Sequence, residues 1–188
     1  MRAKSAVLAA LASLLLLAGC ARRQPLPILG QVPDFQLTSQ SGRPFDSRSL
    51  EGHVWVADFI YTTCPGPCPM MSSQMSRVQA RTAQPGGVAM VSFTVDPVHD
   101  TPAVLAAYAR HFKADPARWH FLTGPQAALN DLGLHAFHLN AVDGSLEHST
   151  RFVLVDRQGR IRGYYLSSEE DFLGRLVQDI ARLERENS

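Results

Sequence analysis

The pattern of apolar and polar positions divides the chain into stretches of two different periods. Val54-Trp55-Val56-Ala57-Asp58-Phe59-Ile60-Tyr61 is a continuous β-branched and aromatic run, which predicts a buried strand. Beyond it Met71, Met75, Val78 and Thr82 recur at helical spacing among Ser, Gln and Arg, so a helix is expected to begin just past Cys68. A Pro85-Gly86-Gly87 turn leads to a second buried strand over residues 88–95. Thr101 caps, and Pro102 starts, a helix carrying Val104, Leu105, Tyr108 and Phe112. Residues 119–122 predict a short strand and residues 125–132 a short helix. A polar stretch over residues 140–150 leads to a strand at 152–155. The Arg157-Gln158-Gly159 turn pairs that strand with residues 161–165. A final amphipathic helix places Phe172, Leu176, Ile180 and Leu183 on one face. Upstream, residues 35–38, a turn at Ser41-Gly42 and residues 44–46 predict a small hairpin.

Strands alternating with helices, closed by a hairpin and a helix, describe an α/β sandwich of the thioredoxin-like type. The expected domain has a central mixed sheet flanked by helices, an N-terminal hairpin, and an inserted loop or hairpin before the late central strand. Cys64 and Cys68, at the end of the first central strand, suit that fold. Thioredoxin itself separates its cysteines by two residues, not three. A peroxiredoxin would place Thr or Ser three residues before its cysteine, where Tyr61 stands here.

The start of the chain has a different character. Arg2 and Lys4 precede an apolar run over residues 6–18 that is too short to span a bilayer, which needs about 20 residues. Leu17-Ala18-Gly19-Cys20 resembles a bacterial lipobox, which implies a signal peptide over residues 1–19 and a diacylglycerol on Cys20. An ordinary secretory peptide cut near Ala18 or Ala21, or an uncleaved anchor, is the alternative. Residues 20–32, rich in proline, are expected to be a lipidated tether, and residues 33–188 a single domain. The expected location is the outer, periplasmic face of the cell membrane, held there by lipid. Disulfides persist in that compartment, so a working dithiol there needs a dedicated reductant or a metal to protect it. The net charge of +1 becomes −1 once Arg2 and Lys4 are removed, and no basic surface for nucleic acid is indicated.

With Cys20 assigned to the lipid, Cys64 and Cys68 are the thiols left to the domain. They lie on a strand-to-helix turn, where free N–H groups and the helix dipole stabilise a thiolate. Cys64, Gly66 and Cys68 each precede a proline and are pushed out of the α region. A stiff, mostly non-helical turn follows, with Pro69 at the first helical position and Cys68 near the cap. Such a pair serves either as a redox-active dithiol or as ligands to a soft metal; an inert disulfide is the plain alternative.

Three motifs narrow this. Phe59-Ile60-Tyr61-Thr62-Thr63-Cys64-Pro65 with Cys68-Pro69 resembles the signature of the Sco/SenC family. Thr94-Val95-Asp96-Pro97-Val98-His99-Asp100-Thr101-Pro102 resembles that family's second motif. His148-Ser149-Thr150, just before a strand closing on Asp156-Arg157-Gln158-Gly159, agrees in order and place. The resemblance covers the domain from about Pro33 to the last helix; Gly66-Pro67 between the cysteines is its one stiff departure. It implies copper binding by Cys64, Cys68 and His148, and a part in building the binuclear copper centre of cytochrome c oxidase. The implied partners are that oxidase's copper-bearing subunit, a periplasmic copper donor and a thiol reductant.

The donor chemistry agrees. Thiolates favour Cu(I) and imidazole suits both Cu(I) and Cu(II), so two sulfurs and one imidazole accommodate either state. Structural zinc would want a fourth ligand, for which His99, His135 and His138 are candidates. Asp96 and Asp100 flank Pro97 at a strand end, either as a chain turn and helix cap or as groups behind the site and an acidic rim for a partner. Met70, Met71 and Met75 fit either a thioether relay or core filler. The runner-up function is a thiol:disulfide oxidoreductase that keeps a target's copper-site cysteines reduced. Cys64 and Cys68 serve both readings, and His148 is needed only by the first.

Overall fold

The computed structural model describes residues 24–83, 87–139, 141–146 and 148–186. The expected signal segment, Cys20 and most of the Pro85-Gly86-Gly87 turn lie outside them. The β-branched run becomes β4 (Trp55–Ile60), all six residues buried. Before it come β1 (Gly30–Gln31), β2 (Gln36–Ser39), β3 (Pro44–Asp46) and a 3₁₀ turn at Ser47–Leu50. After it come α1 (Pro67–Arg81), β5 (Ala89–Thr94), α2 (Pro102–His111), β6 (Trp119–Thr123) and α3 (Gln126–Asn130). The chain ends with β7 (Arg151–Val155), β8 (Arg160–Leu166) and α4 (Phe172–Glu186).

The eight strands form one mixed sheet in the order β1-β8-β7-β4-β5-β6-β2-β3, with β4, β5 and β6 parallel and β7 antiparallel to β4. This is the thioredoxin-like arrangement that the alternation of periods predicts. Side chains alternate across β4. Val56 and Ile60 face a layer built from Met71, Met75 and Val78 of α1, Leu105 of α2, and Leu176, Ile180 and Leu183 of α4. Trp55, Ala57 and Phe59 face the other layer, with Phe35, Leu37 and Phe45 of the hairpin region and Leu129, Leu132 and Phe137. Each large apolar side chain so buried contributes about 1.5–3 kcal/mol before chain entropy is set against it. Thr101 caps α2 as expected, its side chain accepting from Val104 N–H.

Three boundaries differ from expectation. Helix α1 begins at Pro67, two residues before the expected Pro69, because Pro67 already supplies the fixed φ and the missing N–H of a first helical position. Cys68 therefore sits inside the first turn and not ahead of it. Helix α3 is not a simple short helix; it widens into a π turn over Asp131–Ala136. The sheet starts at Gly30, inside the expected tether, because Gly30 and Gln31 pair with Ile161 and Arg160. From Gln24 onward the segment lies against the domain. Buried Arg162 donates to the carbonyls of Leu26 (2.6 Å) and Pro27 (3.1 Å), and Arg182 donates to that of Gln24.

Candidate metal centre

Chain direction places the cysteine turn at the carboxyl end of the parallel strands. β4 ends at Ile60, and residues 61–66 bring the chain over to α1, with Cys64 N–H donating to Tyr61 C=O at 3.3 Å. Gly66, at the N-cap of α1, has no side chain to offer the first turn. The N–H groups of Gly66 and Cys68 in that first turn favour a thiolate at Cys64. Cys68 Sγ in turn accepts from Tyr61 N–H at 3.5 Å. Both thiols are buried and unpaired.

The turn is fastened from behind by Asp100. This side chain is fully buried and accepts from Thr62 N–H (3.2 Å), Thr62 O–H and Thr94 O–H. It ties the residue two before Cys64 to the end of β5. Burial takes Asp100 out of any acidic rim, and Thr101 is the cap of α2. Asp96 is also buried and is closed off by His99, whose Nδ1 lies 2.9 Å from Asp96 Oδ2.

The loop before β7 delivers the third group. His148 Nε2 stands 3.1 Å from Cys68 Sγ and 3.8 Å from Cys64 Sγ. Its Nδ1 lies 3.2 Å from Ser149 C=O, and donation there turns the Nε2 lone pair toward the sulfurs. Tyr61 packs its ring edge-on to the imidazole at a centroid distance of 5.5 Å. The three donor atoms of Cys64, Cys68 and His148 all lie within 4.8 Å of one another. Bonds of about 2.3 Å to sulfur and 2.0 Å to nitrogen, spread in a plane, put neighbouring donors roughly 3.7–4.0 Å apart. The group fits a three-coordinate metal with sub-ångström to ångström adjustments. Among the described residues it comprises these three donor groups, and His99, His135 and His138 are not in it.

Family comparison agrees with this geometry: the SCO1/SenC family model matches residues 29–184. The chain belongs to the SCO1/SenC family. A SCO1/SenC family lipoprotein from Bacillus anthracis str. Ames superposes with a TM-score of 0.78 at 30% identity, over 86% of this chain and 100% of that one. BsSco, a Sco-family cytochrome c oxidase assembly protein in which a disulfide switch was identified, gives 0.75 at 29%, over 86% and 99%. Bradyrhizobium japonicum ScoI with copper bound gives 0.67 at 26%, over 82% and 99%.

Within this SCO1/SenC domain the two thiols are electrostatically unequal. Burial pushes the Cys64 thiol up, but the N–H groups of Cys68 and Gly66, with His148 and Cys68 behind them, bring it down to about 7. Burial raises Cys68 strongly; the Tyr61 N–H lowers it somewhat, and the neighbouring Cys64 raises it further. The metal-free dithiol at neutral pH is therefore a partly ionised Cys64 beside a protonated Cys68. His148 Nε2, 3.1 Å from Cys68 Sγ, is within reach of that proton.

Sequence reasoning passed over Asp58. It lies on the α1 face of β4, opposite Ser92 in the register, and is fully buried. Ser92 O–H donates to Oδ1 at 2.6 Å and itself accepts from Trp119 Nε1 at 3.0 Å, while Oδ2 has no partner. Burial raises this carboxyl to about 7, against smaller opposing effects of Ser92 and His148. The one sign in the sequence was an acid inside an otherwise apolar strand. Met71 and Met75 are fully buried core; Met70, on the first turn of α1, is exposed.

Proposed function

We propose that this chain is a copper-binding assembly factor for cytochrome c oxidase, carrying copper as cargo on the Cys64 and Cys68 thiolates and the His148 imidazole. The observation that carries the reading is the convergence of those three donors at the carboxyl end of the parallel strands. The copper-bound ScoI of Bradyrhizobium japonicum and the oxidase-assembly role of BsSco support it. A soft pair of sulfurs holds Cu(I), and the imidazole extends the site to Cu(II). A three-ligand site leaves open the position through which a metal is handed on. The partner is the copper-bearing subunit of the oxidase, with a copper donor and a thiol reductant on the same side of the membrane. Cys20 carries a lipid anchor in this reading, supported by Leu17-Ala18-Gly19-Cys20 and by a lipoprotein relative. Among the described residues no helix is long and apolar enough to cross a membrane.

A second reading, thiol:disulfide exchange on the target's copper-site cysteines, is favoured by the inequality of the two thiols. Cys64 ionises near neutrality and would attack; Cys68 stays protonated and would resolve.

Titrating the reduced full chain with Cu(I) and Cu(II) decides between them. One copper per chain is expected, with Cys64→Ser and Cys68→Ser each losing tight binding of both ions. His148→Ala should lose Cu(II) affinity by more than Cu(I), since two thiolates alone hold Cu(I) linearly. Unchanged Cu(II) affinity and visible absorption in His148→Ala would remove His148 from the site, whereas a reduced chain that takes up no copper would sink the copper reading and leave the exchange reading standing.

A further inference from the structure

We propose that the edge built from residues 24–29, the β7–β8 turn and the end of α4 is a membrane-seating surface for anionic lipid headgroups, which holds the cysteine–histidine group at the far end of the molecule. The inference rests on the lipid anchor proposed above and adds an orientation to it.

Topology separates the two ends. The cysteine turn follows the carboxyl end of β4, and β7 runs antiparallel to β4, so the turn from β7 to β8 lies at the opposite end of the sheet. The last turn of α4 lies there too, because Arg157 donates to Glu184 C=O and Arg162 pairs with Glu186. At this end the structure fixes the start of the described chain. Arg162, only 4% exposed, clamps Leu26 and Pro27, while Arg182 of α4 holds Gln24. Residues 24–27 are thus docked and cannot act as a long swivel.

Reach then follows from chain geometry. Cys20 is four residues before Gln24, a span of at most about 14 Å, whereas α4 alone is about 22 Å long. An acyl chain on Cys20 enters the bilayer beside the docked segment.

The surface there has the composition that an interface needs. Ile28 (60% exposed) and Leu29 (45%) are the one adjacent pair of exposed large apolar side chains among the described residues. The β7–β8 turn and the end of α4 carry Arg157, Arg160, Arg182 and Arg185 against Asp179, Glu184 and Glu186, with Arg162 and Asp156 buried beneath them, and Arg22 and Arg23 precede Gln24 in the sequence. Ion pairs tie Arg160 and Arg162 to Asp156 and Glu186, and Arg182 to Asp179, so among the described residues Arg157 and Arg185 are the arginines there outside ion pairs. The end near the cysteines has the opposite balance, with Asp143, Glu169, Glu170 and Asp171 exposed against Arg151 and Arg175. Apolar side chains enter the boundary between headgroups and acyl chains while arginines pair with phosphate, so the first end is drawn to an anionic surface and the second repelled.

The test uses the full chain with one of two exposed residues replaced by a reporter. Ile28→Trp marks the proposed seat; Val98→Trp, 77% exposed in the loop after β5, marks the cysteine end. Each is incorporated into phosphatidylcholine vesicles containing phosphatidylglycerol, with and without brominated acyl chains. The expected result is a blue-shifted, bromine-quenched signal added by Ile28→Trp and no quenching added by Val98→Trp. Arg185→Glu should reduce the gain seen with anionic over purely zwitterionic vesicles. Chains that float with the vesicles but show no quenching at position 28 overturn the seating and leave the anchor intact. Quenching at position 98 instead reverses the orientation and also overturns it. Chains that do not float overturn both readings.

Discussion

Cys64 and Cys68 have the same chemistry in isolation and are made different by what surrounds each sulfur. Two backbone N–H groups reach Cys64, whereas Cys68 is sealed beneath Tyr61 with one N–H and the His148 nitrogen. Asp58 is a second residue whose behaviour comes wholly from its surroundings. Its carboxyl is raised to about 7 in the native state, mainly by burial, from 3.8 in the unfolded chain. The native state therefore binds the proton more tightly. The stabilisation is fully present below about pH 4 and is lost as pH rises through about 7. Asp58→Asn stays neutral throughout, so the stability difference between variant and parent should move in the variant's favour by up to about 4 kcal/mol between those limits. Urea midpoints of both proteins at pH 4.5 and 8 measure this; parallel curves would mean that Asp58 does not titrate in this range.

Elements position the site through their ends. The first turn of α1 supplies the N–H groups, the end of β5 supplies Thr94, and the loop entering β7 supplies His148. Asp100 joins two of these, and its removal leaves the Thr62 N–H and hydroxyl and the Thr94 hydroxyl without their acceptor. Asp100→Ala is expected to destabilise the fold by about 2–4 kcal/mol. Loss of the tie behind the cysteine turn should also weaken copper binding by roughly 10- to 100-fold, the usual cost of an orienting group. A guanidinium midpoint lowered at constant slope, with a weaker copper isotherm, is the expected pair of results. Full stability would show that the turn holds itself. The boundaries of these elements were legible where side chains repeat: the faces of β4, α1 and α4 follow the predicted pattern. The two-residue strand β1 was not, since so short a stretch has no period and exists only because β8 offers it an edge.

At the scale of the molecule, metal and disulfide compete for the same sulfurs. Oxidation joins Cys64 to Cys68 and releases two protons and two electrons to an acceptor such as oxidised glutathione, which removes both thiolates from a metal. Copper should therefore bind the reduced chain alone. At free Cu(I) 1,000-fold above the dissociation constant it should stabilise that form by about 4 kcal/mol. For a two-electron couple this raises the dithiol/disulfide midpoint potential by roughly 90 mV. Titration in glutathione buffers with and without Cu(I) measures the shift. Identical midpoints would remove the switch and strengthen the exchange reading.

The sequence by itself determined the sheet-and-helix order, the place of Cys64 and Cys68 at a strand-to-helix turn, and, through three motifs, the family. These are local properties: periodicity, proline positions and short spacings are written in neighbouring residues. Asp96 and Asp100 drew notice as charges at a strand end, but charge gives no burial, and only the folded chain turned Asp100 inward onto Thr62. The same holds for the meeting of His148 with sulfurs 80 and 84 residues away, and for Arg162 reaching back across 135 residues to Pro27. Distances between such groups depend on how strands stack across the sheet, so only the tertiary structure decided them.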